Sequence, residues 1–414
     1  MDFQIKKIKA REILDSRGNP TVEVEIRTEK NFAIADVPSG ASTGIHEAVE
    51  LRDKDDRFNG RGVLKAVKNV NDVIAKKIVG LDCRNQEEID KLLIELDGTE
   101  NKSNLGANAI LSVSTATVKI AAIEQGVPLY KYIGALANNE IFSLPIPAMN
   151  IINGGKHAGN SLDFQEYMII PIEEENFRER IRICVEAYQN LKEFIVERYG
   201  KTAINVGDEG GFAPPMRKID EPLELITHVL EDLGYEDKIK LGLDCAASEF
   251  FNEGKYLVEG NSLWPQELIE KYRLLLDQYC IISFEDPFAQ DDWQSWIEFN
   301  KKFGKEINII GDDLLVTNVS RIEKAIHMKA CNSLLLKINQ IGTISEAIRA
   351  FKIAKENNWQ VMVSHRSGET EDSFIADFCV GLGAKFIKAG APCRGERTAK
   401  YNQLLRIFDE TYGK

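Results

Sequence analysis

The sequence predicts an α/β chain. A smaller N-terminal α+β domain over residues 1–135 precedes a (β/α)8-type TIM barrel over residues 146–414. Three observations lead there. In the opening segment, strand-like runs come first and helical periodicity follows. The rest of the chain has the length of a (β/α)8 barrel, about 250 residues. Its apolar runs are short and nearly unbroken, and amphipathic stretches separate several of them. Parallel strands buried on both faces and joined by crossover helices read this way.

In the first segment, residues 5–13, 21–26 and 32–37 are β-prone, and Arg17-Gly18-Asn19-Pro20 supplies a turn between the first two. Helical spacing follows over 63–77, 86–96 and 108–124. A stretch rich in turn residues, 134–147, ends the pattern. Beyond it, the apolar runs are 239–244, 281–285, 307–312, 334–337, 360–364 and 386–388. Two intervening helices are plain in the spacing of Ile322, Ala325, Ile326 and Lys329, and of Ile344, Ala347, Ile348, Phe351 and Lys355. Thr343 and Glu346 form a capping box for the second.

Charge and cysteine usage narrow the function classes. Lys and Arg total 52 against 65 Asp and Glu, a net charge of −13. Such a chain offers no electrostatic footprint for direct nucleic-acid binding. An anionic substrate would need local positive charge from lysine, arginine or metal. The 7 cysteines are widely spaced and contain no CxxC, which fits reduced thiols better than a disulfide framework. The charged N-terminus has no apolar core of a signal peptide, and no run of about 18 apolar residues suggests a membrane span.

Each apolar run ends on a polar or charged group: Asp244, Glu285, Asp312, Lys337, Ser364 followed by His365, and Lys388. In a parallel barrel these ends meet at one rim, where barrel enzymes keep their chemistry. Strands often stop at a polar residue, but charges flanked by apolar residues need partners if buried. Asp244, Glu285 and Asp312 are hard oxygen ligands suited to Mg2+ or Mn2+ rather than zinc. Lys337, within Leu334-Leu335-Leu336-Lys337-Ile338, is either a snorkelling edge residue or a buried functional amine. Near divalent cations and Lys388 its pKa should fall toward the range of a general base. It could then remove a proton α to a metal-bound carboxylate. Cations would offset the charge that develops, by up to about 4 kcal/mol per close unit-charge pair at an effective dielectric of about 20.

The run 364–370, with Arg366 and Ser367, is a candidate anion cradle. Neither GxxxxGK nor GxGxxG occurs, so nucleotide sites have no support. Glycine-rich stretches at 37–44, with Ser42, and at 153–160, with His157, suit lids that exclude water. Glu166 and Glu209 lie among apolar or glycine residues. Either is a structural ion pair or a carboxyl held neutral to act as general acid.

Taken together, these residues resemble the enolase family. The likeness covers nearly the whole chain: DSRGNPTVEVE (15–25), VPSGASTGIHEA (37–48), NVGDEGGFAP (205–214), LGLDCAASEF (241–250), SFEDPF (283–288), GDDLLVTN (311–318), LLLKINQIGT (334–343), SHRSGETED (364–372) and IKAGAPCRGER (387–397). A Lys or His base with one or two Mg2+ ions is the general pattern of the superfamily rather than something the spacing reveals. The resemblance implies a hydro-lyase that interconverts 2-phospho-D-glycerate and phosphoenolpyruvate. It implies two Mg2+ per active site, the first held by Asp244, Glu285 and Asp312 and the second by Ser42 on the first lid. By the same likeness Lys337 would be the base at C2, and Glu209, with Glu166 close by, would protonate the leaving C3 hydroxyl. Arg366 and Ser367 would hold the phosphate, Lys388 the carboxylate, and His157 and His365 would line the closed site. The family's barrel opens ββαα before a (βα)6 part, so a plain (β/α)8 count is expected to fail in its first two strands.

The resemblance further implies a cytoplasmic homo-oligomer, a dimer or an octamer. A cell-surface or secreted pool is known for some members, with plasminogen bound through C-terminal lysines. Here only Lys414 ends the chain, and a single terminal lysine is weak support. An RNA-degrading assembly as protein partner is a further family association with no signal in these residues. Two rivals remain at this stage: another metal-dependent lyase or racemase of the superfamily, which needs no phosphate-binding pair, and a binding protein that has lost catalysis.

Overall fold

The computed structural model describes residues 3–41 and 43–413. Ser42 and Lys414 therefore lie outside the described residues. Strands β1 (Lys7–Leu14), β2 (Pro20–Arg27) and β3 (Phe32–Asp36) form an antiparallel sheet in that order. The β1–β2 register closes at Leu14↔Pro20. Asp15 builds the turn: its Oδ1 accepts from the backbone N–H of Arg17 at 2.9 Å and of Asn19 at 2.8 Å, with Gly18 at φ +74° between them.

Helices follow at Leu64–Asn69, continuing through a π turn at Val70–Ile74 into Ala75–Ile78, then Gln86–Asp97 and Ala107–Gln125. The last is buried nearly all round, and its Ala, Ser and Thr residues let it pack closely against β2 and β3. The stretch expected to be an irregular connector is partly helical. Helix Leu129–Ala137 runs through Gly134, so irregular chain is confined to 138–145. Gly134 is a packing residue, because a Cβ there would sit 2.5 Å from the Phe142 ring. Across the contact with helix Phe374–Leu382, a Cβ on Gly381 would meet Ile133 at 2.7 Å.

The second part closes into an eight-stranded barrel. Its strands are β4 (Ile146–Asn153), β5 (Glu166–Ile170) and β6 (Lys240–Asp244); a small sheet of β7 (Phe251–Asn252), β8 (Lys255–Val258) and β9 (Asn261–Leu263) follows; then come β10 (Ile281–Glu285), β11 (Asn308–Gly311), β12 (Ser333–Leu336), β13 (Gln360–Ser364) and β14 (Phe386–Lys388). Around the barrel the order is β10-β11-β12-β13-β14-β4-β5-β6. All neighbours are parallel except β5, which runs antiparallel to both β4 and β6. The chain between β4 and β5 holds only a 3-10 turn at Gly155–His157, and without a crossover helix the next strand must return antiparallel. Helices Phe177–Tyr199 and Glu221–Leu233 then lead to β6. The barrel thus opens ββαα, the departure from a plain (β/α)8 count that the family likeness implies.

Ile146, Ala148, Met168, Ile170, Ile310, Leu335, Met362 and Phe386 fill the barrel interior with a small apolar cluster of their own. Among the described residues, no helix is long and apolar enough to cross a membrane.

Candidate active site

The antiparallel β5 puts its first residue at the rim where the parallel strands end. Glu166 is in register with Asp244 at the end of β6 and with Asn153 at the end of β4. Glu285 ends β10 beside Asp244, Asp312 follows β11, Lys337 follows β12, His365 follows β13 and Lys388 ends β14. The polar strand ends read from the sequence therefore do meet at one rim.

The rim is divided by charge. Asp244, Glu285 and Asp312 sit on the contiguous strands β6, β10 and β11. The cations Lys337, Arg366 and Lys388 follow on β12, β13 and β14. Lys388 reaches across: its Nζ lies 2.8 Å from both carboxylate oxygens of Glu285 and 3.2 Å from Asp244 Oδ2 and Glu166 Oε1. Lys337 Nζ donates to Asp312 Oδ2 at 2.5 Å. Burial lowers the Lys337 pKa, but the Asp312 carboxylate outweighs it and leaves the ammonium above its ordinary range.

Glu166 and Glu209 form a second centre with His157, their ligating atoms all within 4.8 Å of one another. His157 and Glu209 come from loops, and Gly207 lets those loops touch: a Cβ there would lie 2.3 Å from the His157 carbonyl. Asn150 Nδ2 donates to Glu209 Oε2 at 2.9 Å, and the His157 and His365 rings lie 3.4 and 3.6 Å from the carboxylate. Burial pushes Glu209 up, but His157 and Arg397 hold it well below the usual range. Glu166 goes the other way, pushed well up by burial and by Glu209 against the pull of Lys388. The two titrate as a pair, with their shifts in opposite directions.

Several residues that shape the rim had no signal of their own in the sequence. Gln340 donates to Asp312 Oδ1 at 2.8 Å, and Thr317 donates to Gln340 Oε1 at 2.9 Å. Asp286 accepts the backbone N–H groups of Asp312 and Asp313, both at 2.8 Å. Burial and the Asp313 and Asp312 carboxylates push Asp286 up, while the two backbone N–H groups favour its ionised form. Asp313 beside it is pushed up to about 8 by burial and Asp312. Asp286, Asp312 and Asp313 lie within 4.8 Å of one another, but Asp286 is spent on backbone.

The first glycine-rich stretch bonds to the anion-cradle loop. Ser39 and Gly368 exchange two backbone hydrogen bonds of 2.8 Å, and the Ala41 N–H donates to Ser367 Oγ at 2.9 Å. Arg366 donates to Asn339 Oδ1 at 2.9 Å and to Glu47 at 3.1 Å. A cavity of about 280 Å³ opens between Gly40, Thr43, Gly44, Glu47, Asn339 and Arg366.

The donor chemistry fits a divalent cation. Asp244, Glu285 and Asp312 are buried carboxylates, hard oxygen donors with no thiolate among them. Burial and Asp244 push Glu285 well above its ordinary range, the mark of excess negative charge in low dielectric. Around them, both ring nitrogens of His157, His365 Nε2, Gln165 Oε1 and the Asn153 amide are buried without hydrogen-bond partners among the described residues. Such atoms call for a polar ligand. Gln165 and Asn153 escaped the sequence reading, because an amide beside a glycine-rich loop looks like ordinary turn chemistry.

Comparison with known proteins agrees with this geometry. A family profile described as "Enolase, C-terminal TIM barrel domain" matches residues 141–414, and "Enolase, N-terminal domain" matches 5–133. A Methanocaldococcus jannaschii protein named "Enolase" is 56% identical over 409 residues, covering 99% of this chain and 96% of that one. Proteins of the same name from Thermococcus gammatolerans and Thermococcus kodakarensis are 56% and 55% identical over 415 residues, with the same coverage.

Proposed function

The chain belongs to the enolase family, and from that premise we propose how its own residues divide the work. The reaction is the reversible dehydration of 2-phospho-D-glycerate to phosphoenolpyruvate (EC 4.2.1.11), a divalent-metal-dependent step of glycolysis and gluconeogenesis. The observation that carries the assignment is topological. In the barrel order, β12 and β5 are four strands apart in a ring of eight, so Lys337 and Glu166 face each other across the rim. A substrate held between them presents its C2 proton to one side and its C3 hydroxyl to the other.

Lys337 takes the C2 proton as a free amine, its ammonium proton having first been released to solvent. Glu166 and Glu209 act as one acid unit and deliver a single proton to the leaving hydroxyl. Arg366, with Ser367, holds the phosphate in its guanidinium fork. Lys388, already paired with acids, orients the substrate carboxylate. His157 and His365 line the closed site and help exclude water. Asp244, Glu285 and Asp312 would hold one Mg2+, and Ser42 would help hold a second. When bound, the ions offset the negative charge that develops as the C2 proton leaves.

We propose further that residues 1–135 and 146–414 are the two domains, that the chain forms a homodimer or octamer, and that it works in the cytoplasm. The acidic charge balance and the family likeness support these readings, and light scattering decides between the assemblies.

The test is direct. Protein stripped of metal should form phosphoenolpyruvate from 2-phosphoglycerate only when Mg2+ is supplied, and chelator should stop it. Equal turnover of a non-phosphorylated hydroxy acid would instead favour another lyase or racemase of the superfamily.

A further inference from the structure

Arg397 lies at the start of the last helix, Gly395–Tyr412. It is completely buried, with a relative exposure of 0%. Its terminal nitrogens carry four N–H bonds, and four acceptors surround them. Nη1 lies 2.7 Å from His365 Nδ1 and 2.6 Å from the Arg366 carbonyl. Nη2 lies 2.9 Å from the Asp208 carbonyl and 2.6 Å from the Ser367 carbonyl. One guanidinium thus ties the anion-cradle loop to the turn that carries Glu209.

The contact with His365 has only one chemically consistent reading. A guanidinium has donors and no acceptor. His365 Nδ1 must therefore be the acceptor, since a proton there would set two donors against each other at 2.7 Å in a buried site. The ring hydrogen is left on Nε2. That nitrogen has no hydrogen-bond partner among the described residues and lies 3.6 Å from Glu209 Oε1.

We infer that Arg397 is a positioning residue that fixes His365 as its neutral Nε2–H form, so that this imidazole donates toward Glu209 and the leaving hydroxyl and never serves as a base. Nδ1 is occupied by the arginine and Nε2 already carries its proton, so no lone pair faces the substrate. The inference deepens the reading of Glu209 as part of the acid unit and rests on it. It also gives the guanidinium a second consequence. Because the same group holds the Arg366 and Ser367 carbonyls, the phosphate cradle and the acid turn keep a fixed spacing.

The test begins with the wild-type protein, so folding of a variant is not at issue. With histidine rings labelled in ¹⁵N, two-bond correlations report the tautomer of each of the 5 histidines, and His365→Asn identifies the relevant ring. The expected pattern at neutral pH is Nε2–H for His365. An Nδ1–H ring or an imidazolium overturns the inference. Arg397→Lys supplies the kinetic arm. A single ammonium cannot reach four acceptors, and misplacement of about 1 Å costs roughly 100-fold in rate. Elimination should therefore slow by about 10- to 100-fold, with the KM for 2-phosphoglycerate and solvent exchange at C2 much less affected, and the His365 tautomer should become mixed. A folded variant with wild-type elimination despite a mixed tautomer would also overturn it. Failure of the underlying reading looks different: wild-type turnover by Glu209→Gln would remove Glu209 from the acid unit while leaving the tautomer measurement as it stands.

Discussion

Replacing Lys388 by methionine removes a charge while nearly keeping the side chain's volume, so the cavity contribution is small. In the wild type the ammonium touches three buried acids, with both Glu285 oxygens at 2.8 Å and Asp244 and Glu166 at 3.2 Å. At an effective dielectric of about 20, each such contact is worth roughly 5 to 6 kcal/mol before desolvation. Losing one member of a buried ion group typically costs about 3 to 5 kcal/mol net. Lys388→Met should therefore destabilise the metal-free protein by about that amount, visible as a fall of several degrees in Tm. Divalent cation should recover more stability in the variant than in the wild type, because it supplies the missing positive charge to Asp244 and Glu285. The pH dependence has a definite sign. Glu166 and Glu285 already have raised pKa values, and removal of Lys388 raises them further. Groups raised on folding contribute stability at low pH that is lost as pH climbs through their folded pKa. The variant's deficit should accordingly be small near pH 5 and large near pH 8. Scanning calorimetry across that range, with chelator and then with Mg2+, reads all three effects. A variant as stable as wild type at pH 8 in chelator would refute the charge argument.

Other consequences follow from single contacts. Asp286→Asn leaves one acceptor oxygen for two backbone N–H groups, so Asp312 should lose its alignment and metal affinity should drop about 10- to 100-fold by titration calorimetry; unchanged affinity would refute the positioning role. Glu166→Gln and Glu209→Gln should both slow elimination, since the two carboxyls act as one acid unit; rapid-quench measurement of phosphoenolpyruvate decides, and a silent Glu166→Gln contradicts the paired-acid reading. Asp36 is pushed up to about 7 by burial and by Asp372. Its contribution to stability should be full below about pH 4 and fade as pH rises through 7. Asp36→Asn should flatten that part of the stability profile in denaturant titrations, and an unchanged slope would count against it.

The sequence made the barrel legible because buried parallel strands write themselves as unbroken apolar runs, and because each run ended on a group with chemistry. Asp244, Glu285, Lys337 and Lys388 were all visible in this way. Direction was not. Nothing within Glu166-Tyr167-Met168-Ile169-Ile170 says that the strand runs against its neighbours; that is set by the absence of a helix before it. Helix Leu129–Ala137 was obscured by Gly134, which reads as a turn but serves close packing against Phe142. Asn150, Gln340, Asp286 and Arg397 act through three-dimensional partners far away in sequence, and no local pattern marks such a residue. The protonation of the acid pair was equally hidden. A carboxylate's state depends on what surrounds it, and the imidazoles beside Glu209 and the lysine beside Glu166 come from other strands and loops.

The central claim is that side chains from separated strands meet at one rim so that Lys337 can strip the C2 proton of a bound phosphoglycerate. Exchange of that proton with deuterated solvent, followed by NMR on 2-phosphoglycerate with Mg2+ present, tests it most directly. The wild type should exchange it, Lys337→Ala should not exchange it measurably, and Glu209→Gln should still do so while eliminating slowly. Normal exchange by a folded Lys337→Ala would contradict the account.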